Sequence, residues 1–568
     1  MRRIWCVFFW RMRERHGTRM TFRMVNLPRG VIYYAYGLVV LACSLLYSSC
    51  PTMPPSPIER DPLLTEPSRL LSSQYTEDPT NWPSTSVTSV VGSEEERSAL
   101  QFNELKLFFS LLVDSIPVIL SYILQNSIQT ISIVITGRLG PHELSVAAFS
   151  LMLAFVTGWC VALGGTTALD TLGSQAFTGS TRPTDLSVHF QRCVLLLWIL
   201  LVPVGALWIF MEPILLVLGQ QEDLAKDVQF FLRLLIIGAP GYIGFESLKK
   251  YLQCQGIMQA STIVLLVISP INVVLNIGFV HYTSLGLFGS PIALSIIYWL
   301  AFALLCIMTY FSPTHRNNGT WGGIQFRAVL QQESCVSFFR LAIPGILMVG
   351  TEWAAFEIVA LAAGRLGSLP LAAQSVIMTL DQILNTLPFG IGVAASTRVG
   401  NLIGLRSAIG ARHAAHAAAF LSVVVGAVVM ITLMSTKNII GYLMSDDVAV
   451  VQLVSVVMPF VASFQIADGL AGSCGGSLRG QGRQHLGAFY NFVAYYVLAL
   501  PLGIFLAFRS EYGLKGLWIG QLVGLTVVGI SEYVVILVGT DWECEVEKGV
   551  RRNLEEAKRL AQIGDSVN

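Results

Sequence analysis

From residue 107 to 539 the sequence alternates long apolar runs with short polar gaps, and this pattern leaves few folds open. The runs fall at about 107–136, 144–168, 190–212, 228–253, 260–281, 288–311, 337–364, 371–397, 414–436, 450–476, 486–508 and 514–539. Most exceed the ~18 apolar residues that separate a membrane span from a buried core helix. In hydrocarbon each backbone N–H and C=O needs a partner within the protein, so runs of this length read as helices. Charged residues make up 12% of the chain, roughly half the share usual in a soluble domain. The expected fold class is all-α integral membrane, with twelve transmembrane helices in two pseudo-symmetric six-helix bundles.

The two-bundle expectation comes from an internal repeat. Gly137-Arg138-Leu139-Gly140 recurs 227 positions later as Gly364-Arg365-Leu366-Gly367. The same offset carries Pro117 onto Pro344 and Gly173 onto Gly400. It also carries Gly286-Leu287-Phe288-Gly289 onto Gly513-Leu514-Lys515-Gly516, and Gln255-Gly256 reaches Gln481-Gly482 one residue short of it. Six spans per copy is an even number, so both copies enter from one side and should be related by an axis along the membrane normal. The expected divisions are a largely disordered extension over 1–106, a first six-helix lobe over 107–325, a second over 326–540, and a cytosolic tail over 541–568. A cleft between two such bundles suits alternating access. The sequence lacks a Gly-x-x-x-x-Gly-Lys-Ser/Thr loop, so coupling to an ion gradient is expected in place of ATP.

The extension divides further. Residues 1–30 are rich in arginine, and the apolar stretch 31–47 is short for a span. It reads as signal-like, as a thirteenth span, or as absent from the mature protein, with Met24 and Met53 as alternative starts, of which Met53 removes the stretch. Residues 51–99 have the Pro, Ser, Thr and Glu content of a disordered tail. Within them Glu59-Arg60-Asp61-Pro62-Leu63-Leu64 is similar to an acidic dileucine sorting signal, so the expected location is a vacuolar (lysosome-like) membrane or the plasma membrane.

Loop charges set the expected orientation. One set of loops carries Arg182, Arg192, Lys249, Lys250, Arg316, Arg327, Arg398, Arg406, Arg412, Arg479 and Arg483, and the tail adds Lys548, Arg551, Arg552, Lys558 and Arg559. The opposite loops hold Arg138, Lys226, Arg365, Lys437, Arg509 and Lys515. The richer set should face the cytosol, together with both termini. The sequon Asn318-Gly319-Thr320 then lies on the cytosolic side. The ten cysteines form no CxxC, and Cys160, Cys254, Cys306 and Cys474 read as small packing residues. A net charge of +1 offers no argument for a nucleic-acid partner. The expected partners are a small-molecule substrate and the lipid bilayer, with the protein a monomer.

Ionisable groups in mid-span cost about 2.5–3.5 kcal/mol each on insertion scales and mark candidate function. Here they are Glu246, Glu352, Glu357, Asp381, Asp468 and Glu532. Glu352 and Glu357 share the seventh run without a nearby base, and about 100° per residue sets them about 140° apart. A buried carboxylate without a partner can hold a proton near neutral pH, or a cation. A site that takes one or the other is the minimal form of an antiporter. Asp468 lies in a glycine-rich stretch with no basic neighbour before Arg479. Glu352, Glu357 and Asp468 are therefore the expected proton- and cation-binding residues. Expected substrate-lining residues are Gln125, Asn126 and Gln129 in the first run, Trp353 in the seventh, Thr379 and Asp381 in the eighth, and Tyr490, Asn491 and Tyr495 in the eleventh, where tyrosine faces suit organic cations. Glu246 lies three and four residues before Lys249 and Lys250 and reads as locally paired, Asp381 and Glu532 as paired within the bundle, and Asp170 as structural.

These words in this order resemble the multidrug and toxin extrusion (MATE) family, in its eukaryotic, fungal-like branch. The resemblance rests on Leu341-Ala342-Ile343-Pro344, Glu352-Trp353, Ala373-Gln374-Ser375 and Val393-Ala394-Ala395-Ser396-Thr397-Arg398-Val399-Gly400-Asn401. Gly475-Gly476-Ser477-Leu478-Arg479-Gly480-Gln481-Gly482 and, in the first half, Asp170-Thr171-Leu172-Gly173-Ser174-Gln175 extend it over about residues 105–540. It implies export of cationic or amphipathic drugs, xenobiotics or metabolites against protons or sodium, with no other cofactor and no enzymatic step. It implies roles for Glu352, Glu357 and Asp468, and draws Trp353 into the lining. A glutamate that the family carries on helix eight falls here on Thr379, with Asp381 two residues away on another face. Two alternatives remain. A lipid or polysaccharide-precursor flippase of the same superfamily would line its cleft with cations. A multi-pass membrane enzyme would need a nucleophile or metal cluster at membrane depth, whereas His189, His315, His413 and His485 lie in loops or near helix ends.

Overall fold

The computed structural model describes residues 94–565, with side chains from 106 to 562. The readings made for 1–93, including the apolar stretch and the dileucine-like motif, lie outside the described residues. Within them the chain runs through helices α1 (Glu94–Thr136), α2 (Pro141–Gly179) and α3 (Asp185–Ile209). Next come α4, in two segments (Glu222–Leu235 and Ala239–Cys254), α5 (Ala260–His281) and α6 (Gly286–Phe311). The second half holds α7 (Gln332–Leu366), α8 (Ser368–Gly404), α9 (Ala408–Thr436), α10 (Val448–Gln481), α11 (Gln484–Phe508) and α12 (Leu514–Leu537). A further helix, α13 (Trp542–Asp565), follows.

Eleven of these helices are long and apolar enough to cross a membrane, and α4 makes twelve if its two segments, bent by 52°, form one span. The bend falls where Gly238 and Pro240 interrupt the ladder, since proline removes a donor and clashes with the preceding turn. The expected fourth run began at 228; the helix starts six residues earlier, with Glu222 and Asp223 in its first turn, where acidic side chains suit the helix dipole. Two helices carry a wider π turn, α2 at Phe155–Trp159 and α11 at Val493–Ala499.

α1–α6 and α7–α12 pack as two bundles. The bundles meet at the end that carries the Lys- and Arg-rich loops, here termed the basic end. α2 packs against α7 and α8, and α1 against α8 and α9. Glycine permits the closest of these approaches: a Cβ on Gly345 would run into the backbone of Gly164, and a Cβ on Gly164 into Ile346. Hydrogen bonds tie the same end. Gln175 donates to the Gly480 carbonyl at 2.9 Å, Thr178 to Asn401 O at 2.7 Å, and Gln484 to the Thr171 hydroxyl at 2.9 Å. Toward the other end, Pro141–Ala154 of α2 and Ser368–Leu384 of α8 pack chiefly within their own bundles.

α13 lies across the basic end. Its charged and apolar residues separate onto two faces, as expected for a helix that rests on a surface. Trp542 packs with α8 and α9 of the C-terminal bundle. Arg552 donates to Gln175 Oε1 of α2 at 2.9 Å and to the Gln481 carbonyl of α10 at 3.1 Å. Glu556 pairs at 2.9 Å with Arg192 of α3, whose side chain is 1% exposed. Burial alone would raise the Glu556 carboxyl, but the charges of His189 and Arg192 and a hydrogen bond from Ser334 hold it below the ordinary carboxylate range. This pairing therefore contributes in full above that range and is lost as pH falls through the lowered folded value. Glu556→Gln would leave Arg192 buried without its anion, at a cost of about 3–5 kcal/mol. The expected outcome is a lower unfolding midpoint in detergent and faster hydrogen exchange across 549–562. Unchanged exchange in that segment would show that the pair does not hold α13 in place.

Candidate functional site

The carboxylates of the second half come together because α7, α8, α10, α11 and α12 surround one small cavity of about 50 Å³. Its walls include Glu352 and Trp353 from α7, Asn385 from α8, Asp468 from α10, Asn491 from α11 and Glu532 from α12. Gly472 lets α10 approach Pro388 of α8, and Gly476 abuts the Gly392 carbonyl, so the acidic helix lies close against α8. Asn385 Nδ2 donates to Asp468 Oδ2 at 3.2 Å. One turn away, Gln465 Nε2 donates to Asp381 Oδ1 at 3.0 Å. Asn491 spends its amide on the Met348 carbonyl at 2.9 Å, which leaves its carbonyl oxygen for the cavity. Glu532 is fully buried, and neither carboxylate oxygen has a hydrogen-bond partner.

Several expected site residues are placed differently. Glu352 and Asp468 share the cavity, whereas Glu357, half-buried and 140° around α7, lies outside its walls. Asp381 is buried and accepts from Gln465 within the bundle, as expected, whereas Glu532 has no hydrogen-bond partner there. Thr379 donates back to Ser375 O at 2.8 Å, one turn earlier, and supplies no acid in place of the helix-eight glutamate. Tyr490 is half-buried outside the cavity walls, and Tyr495 is enclosed in the core of the bundle beside Phe356 and Trp518. Neither tyrosine lines the cavity, and packing encloses Tyr495.

The expectation that these carboxylates lack a basic neighbour is corrected by Arg479. Read as a loop residue, it lies inside α10, is 5% exposed and lines the cavity. Sequence reasoning also missed Glu532 as a member of the site. Its mid-span position flagged it, but nothing in the sequence says that α12 turns it toward α7 and α10.

The first bundle has its own buried polar cluster. Lys249, counted among the loop charges although it falls at the end of the fourth run, is within α4 and pairs with Glu246 at 2.8 Å. It also donates to Gln125 Oε1 at 3.0 Å and lies 4.0 Å above the Tyr122 ring. Gln125 Nε2 donates in turn to Glu246 Oε1 at 2.7 Å and Tyr242 at 3.0 Å. Gln129 donates to the Tyr298 hydroxyl at 3.3 Å, and Asn126 is exposed. The amide of Gln125 is therefore used to satisfy this cluster and is not left free for a ligand. Lys250 does not pair with Glu246; it reaches Asp170 of α2 at 2.8 Å. Asp170 also faces Arg479 Nε across the bundle interface at 3.4 Å.

Comparison with known proteins places this architecture. The sequence pattern of the MatE family matches residues 117–277 and 344–505, once in each bundle. The Schizosaccharomyces pombe protein Uncharacterized transporter C4B3.13 is 36% identical over 468 residues, 82% of this chain and 83% of its own length. Multidrug and toxin extrusion protein 2 of Mus musculus is 35% identical over 445 residues, 78% of this chain and 76% of its own. The crystal structure of the eukaryotic MATE transporter AtDTX14 superposes with a TM-score of 0.73 at 30% identity, covering 80% of this chain and 99% of that one.

The Glu246–Lys249 pair can be tested through stability. Lys249→Met leaves a buried carboxylate uncompensated, for which the expected loss is about 3–5 kcal/mol. Adding Glu246→Gln removes the stranded charge and should recover most of it. Unfolding midpoints of the two variants decide this, and a double variant no more stable than the single one would assign the loss to packing.

Proposed function

This chain belongs to the MatE family of multi-pass membrane transporters, and on that footing we propose that it exports cationic or amphipathic small molecules in exchange for protons by alternating access. The observation that carries the proposal is the composition of the cavity: Glu352, Asp468 and Glu532 against one cation, Arg479. Three carboxylates and one guanidinium favour a positive ligand over the anionic head group of a lipid or polysaccharide precursor. Trp353 adds an aromatic face against which an organic cation gains cation–π attraction. Glu352 and Asp468 are the proposed exchange site. Each holds either a proton or the electrostatic field of the bound cation, so loading one displaces the other.

The basic end is proposed to face the cytosol, by the excess of Lys and Arg at that end. The form in which the bundles are joined there is proposed to be the one that opens to the opposite side, where protons enter and the exported compound leaves. The protein is proposed to act as a monomer, since each chain carries both bundles, and to reside in a vacuolar or plasma membrane.

Uptake of ethidium, a fluorescent organic cation, into proteoliposomes with an imposed pH gradient tests the coupling. Glu352→Gln keeps the shape of the side chain and removes its titration. It should abolish pH-driven uptake while membrane insertion is retained. Asp468→Asn should act likewise. Glu357→Gln, outside the cavity, should change uptake by less than either. Uptake that follows a sodium gradient and ignores pH would replace the proton with sodium. Wild-type uptake and pH profile in both cavity variants would move the exchange site elsewhere. Tags in the 541–568 tail should be labelled only after the membrane is permeabilised, and labelling of intact cells would invert the orientation.

A further inference from the structure

Arg479 stands between two partners in different bundles. On one side its Nε is 3.4 Å from Asp170 Oδ2 of α2, a loose contact for an ion pair. On the other, a point beside Gly475 lies 3.5 Å from Glu532 Oε2 and 3.7 Å from Arg479 Nη1, so carboxylate and guanidinium are neighbours. Asp170 has a tighter partner in Lys250, at 2.8 and 3.1 Å to its two oxygens. It therefore stays neutralised if Arg479 leaves. Glu532 has no such provision: both oxygens are buried and unbonded. A carboxylate in that position must carry a proton or face a cation, because an isolated buried charge is too costly to keep. The cation within reach is Arg479.

We propose, resting on the antiport reading above, that Glu532 is a further proton-exchanging residue of this transporter and that Arg479 links it to the bundle interface. With the bundles joined at the basic end, Arg479 faces Asp170 across the interface and Glu532 carries a proton. When the bundles separate there, α2 carries Asp170 away. Arg479 then turns to Glu532, whose O–H bond breaks, with the proton passing to water on the basic side. The guanidinium remains protonated throughout, so one proton is taken up in the joined form and one is released in the separated form. Arg479 is a positioning residue in this scheme; Glu532 is the group that exchanges.

The charges around this pair are Asp468 on α10, Asp170 on α2, Lys250 on α4, Glu352 on α7 and Asp381 on α8. α1 contributes the Tyr122 phenol, α11 contributes Tyr495, and Cys474 of α10 lies beside Glu532. Glu352 and Asp468, the proposed exchange residues, line the same cavity, but Asp468 has the Asn385 amide as a partner where Glu532 has none. The coupling between proton and bundle separation should therefore fall most heavily on Glu532.

Because the proton is bound in the joined form, acid should favour that form. Spin labels on Thr181→Cys and Ile409→Cys, exposed at the basic end of the two bundles, report their separation in the full chain when the other accessible cysteines are replaced by serine. In the unmodified background the short distance should gain population as pH falls. Glu532→Gln mimics the neutral form and should hold the short distance with its pH midpoint lost or moved by about one unit or more, a tenfold change in proton affinity. Glu532→Asp, which still titrates, should restore a pH response and thereby exclude a merely structural defect. A Glu532→Gln titration that overlays the unmodified one overturns the proposal. If pH-driven ethidium uptake also persists unchanged in that variant, antiport stands and this role for Glu532 alone is withdrawn. If the unmodified protein shows no pH-driven uptake, the antiport reading fails and this inference fails with it.

Discussion

A solvent that cannot hydrogen-bond governs every level of this structure. In hydrocarbon the backbone must satisfy itself, which turns each apolar run into a helix. The same rule acts on side chains, because a charge that enters the membrane must find its counter-ion inside the protein. Lys249 finds Glu246 and the face of Tyr122. Lys250 finds Asp170. The cavity of the second bundle is where the rule is met least completely. Glu532 has no hydrogen bond there, and Asp468 has only the long contacts from Asn385. A place where charge is incompletely compensated is a place where binding a proton or a cation changes the energy most.

The division of labour between the bundles follows from this difference. The first bundle pairs its charges internally: Gln125, Glu246, Lys249 and Tyr242 form one hydrogen-bonded cluster, in which Glu246 Oε2 has no partner. An aromatic group of Trp159, Trp208, Tyr242 and Tyr298 packs around them. The second bundle keeps its acids around a space. The repeat in the sequence thus specifies two copies of one scaffold, and the charges placed on each copy differ: paired in the first, gathered around a cavity in the second.

The spans and the repeat were legible because both are one-dimensional. Hydropathy marks a helix without reference to its neighbours, and the offset from Pro117 to Pro344 is also where the two matches to the family begin. Partners in space were not legible. Lys249, Lys250 and Arg479 sit at the ends of apolar runs, where the same residues also serve as loop charges, and only tertiary packing turns them inward. Glu352 and Glu357 read as equivalent acids on one helix; the side of α7 that α10 and α12 cover separates them. The tyrosines of α11 were misread for a related reason. Residue type suggests a cation-binding face, but Tyr495 is consumed by packing.

The tail helix has a mechanical consequence. α13 is joined by a four-residue connection to the last span of one bundle and rests on the other through Gln175 and Arg192. If the bundles part at that end, the covalent attachment survives and the rest on α2 and α3 must give way. The released helix remains tethered, so its return is an intramolecular event at high effective concentration. It behaves as a spring-loaded clasp: cheap to re-close, and costly to hold open unless its uncovered apolar face is met by another surface.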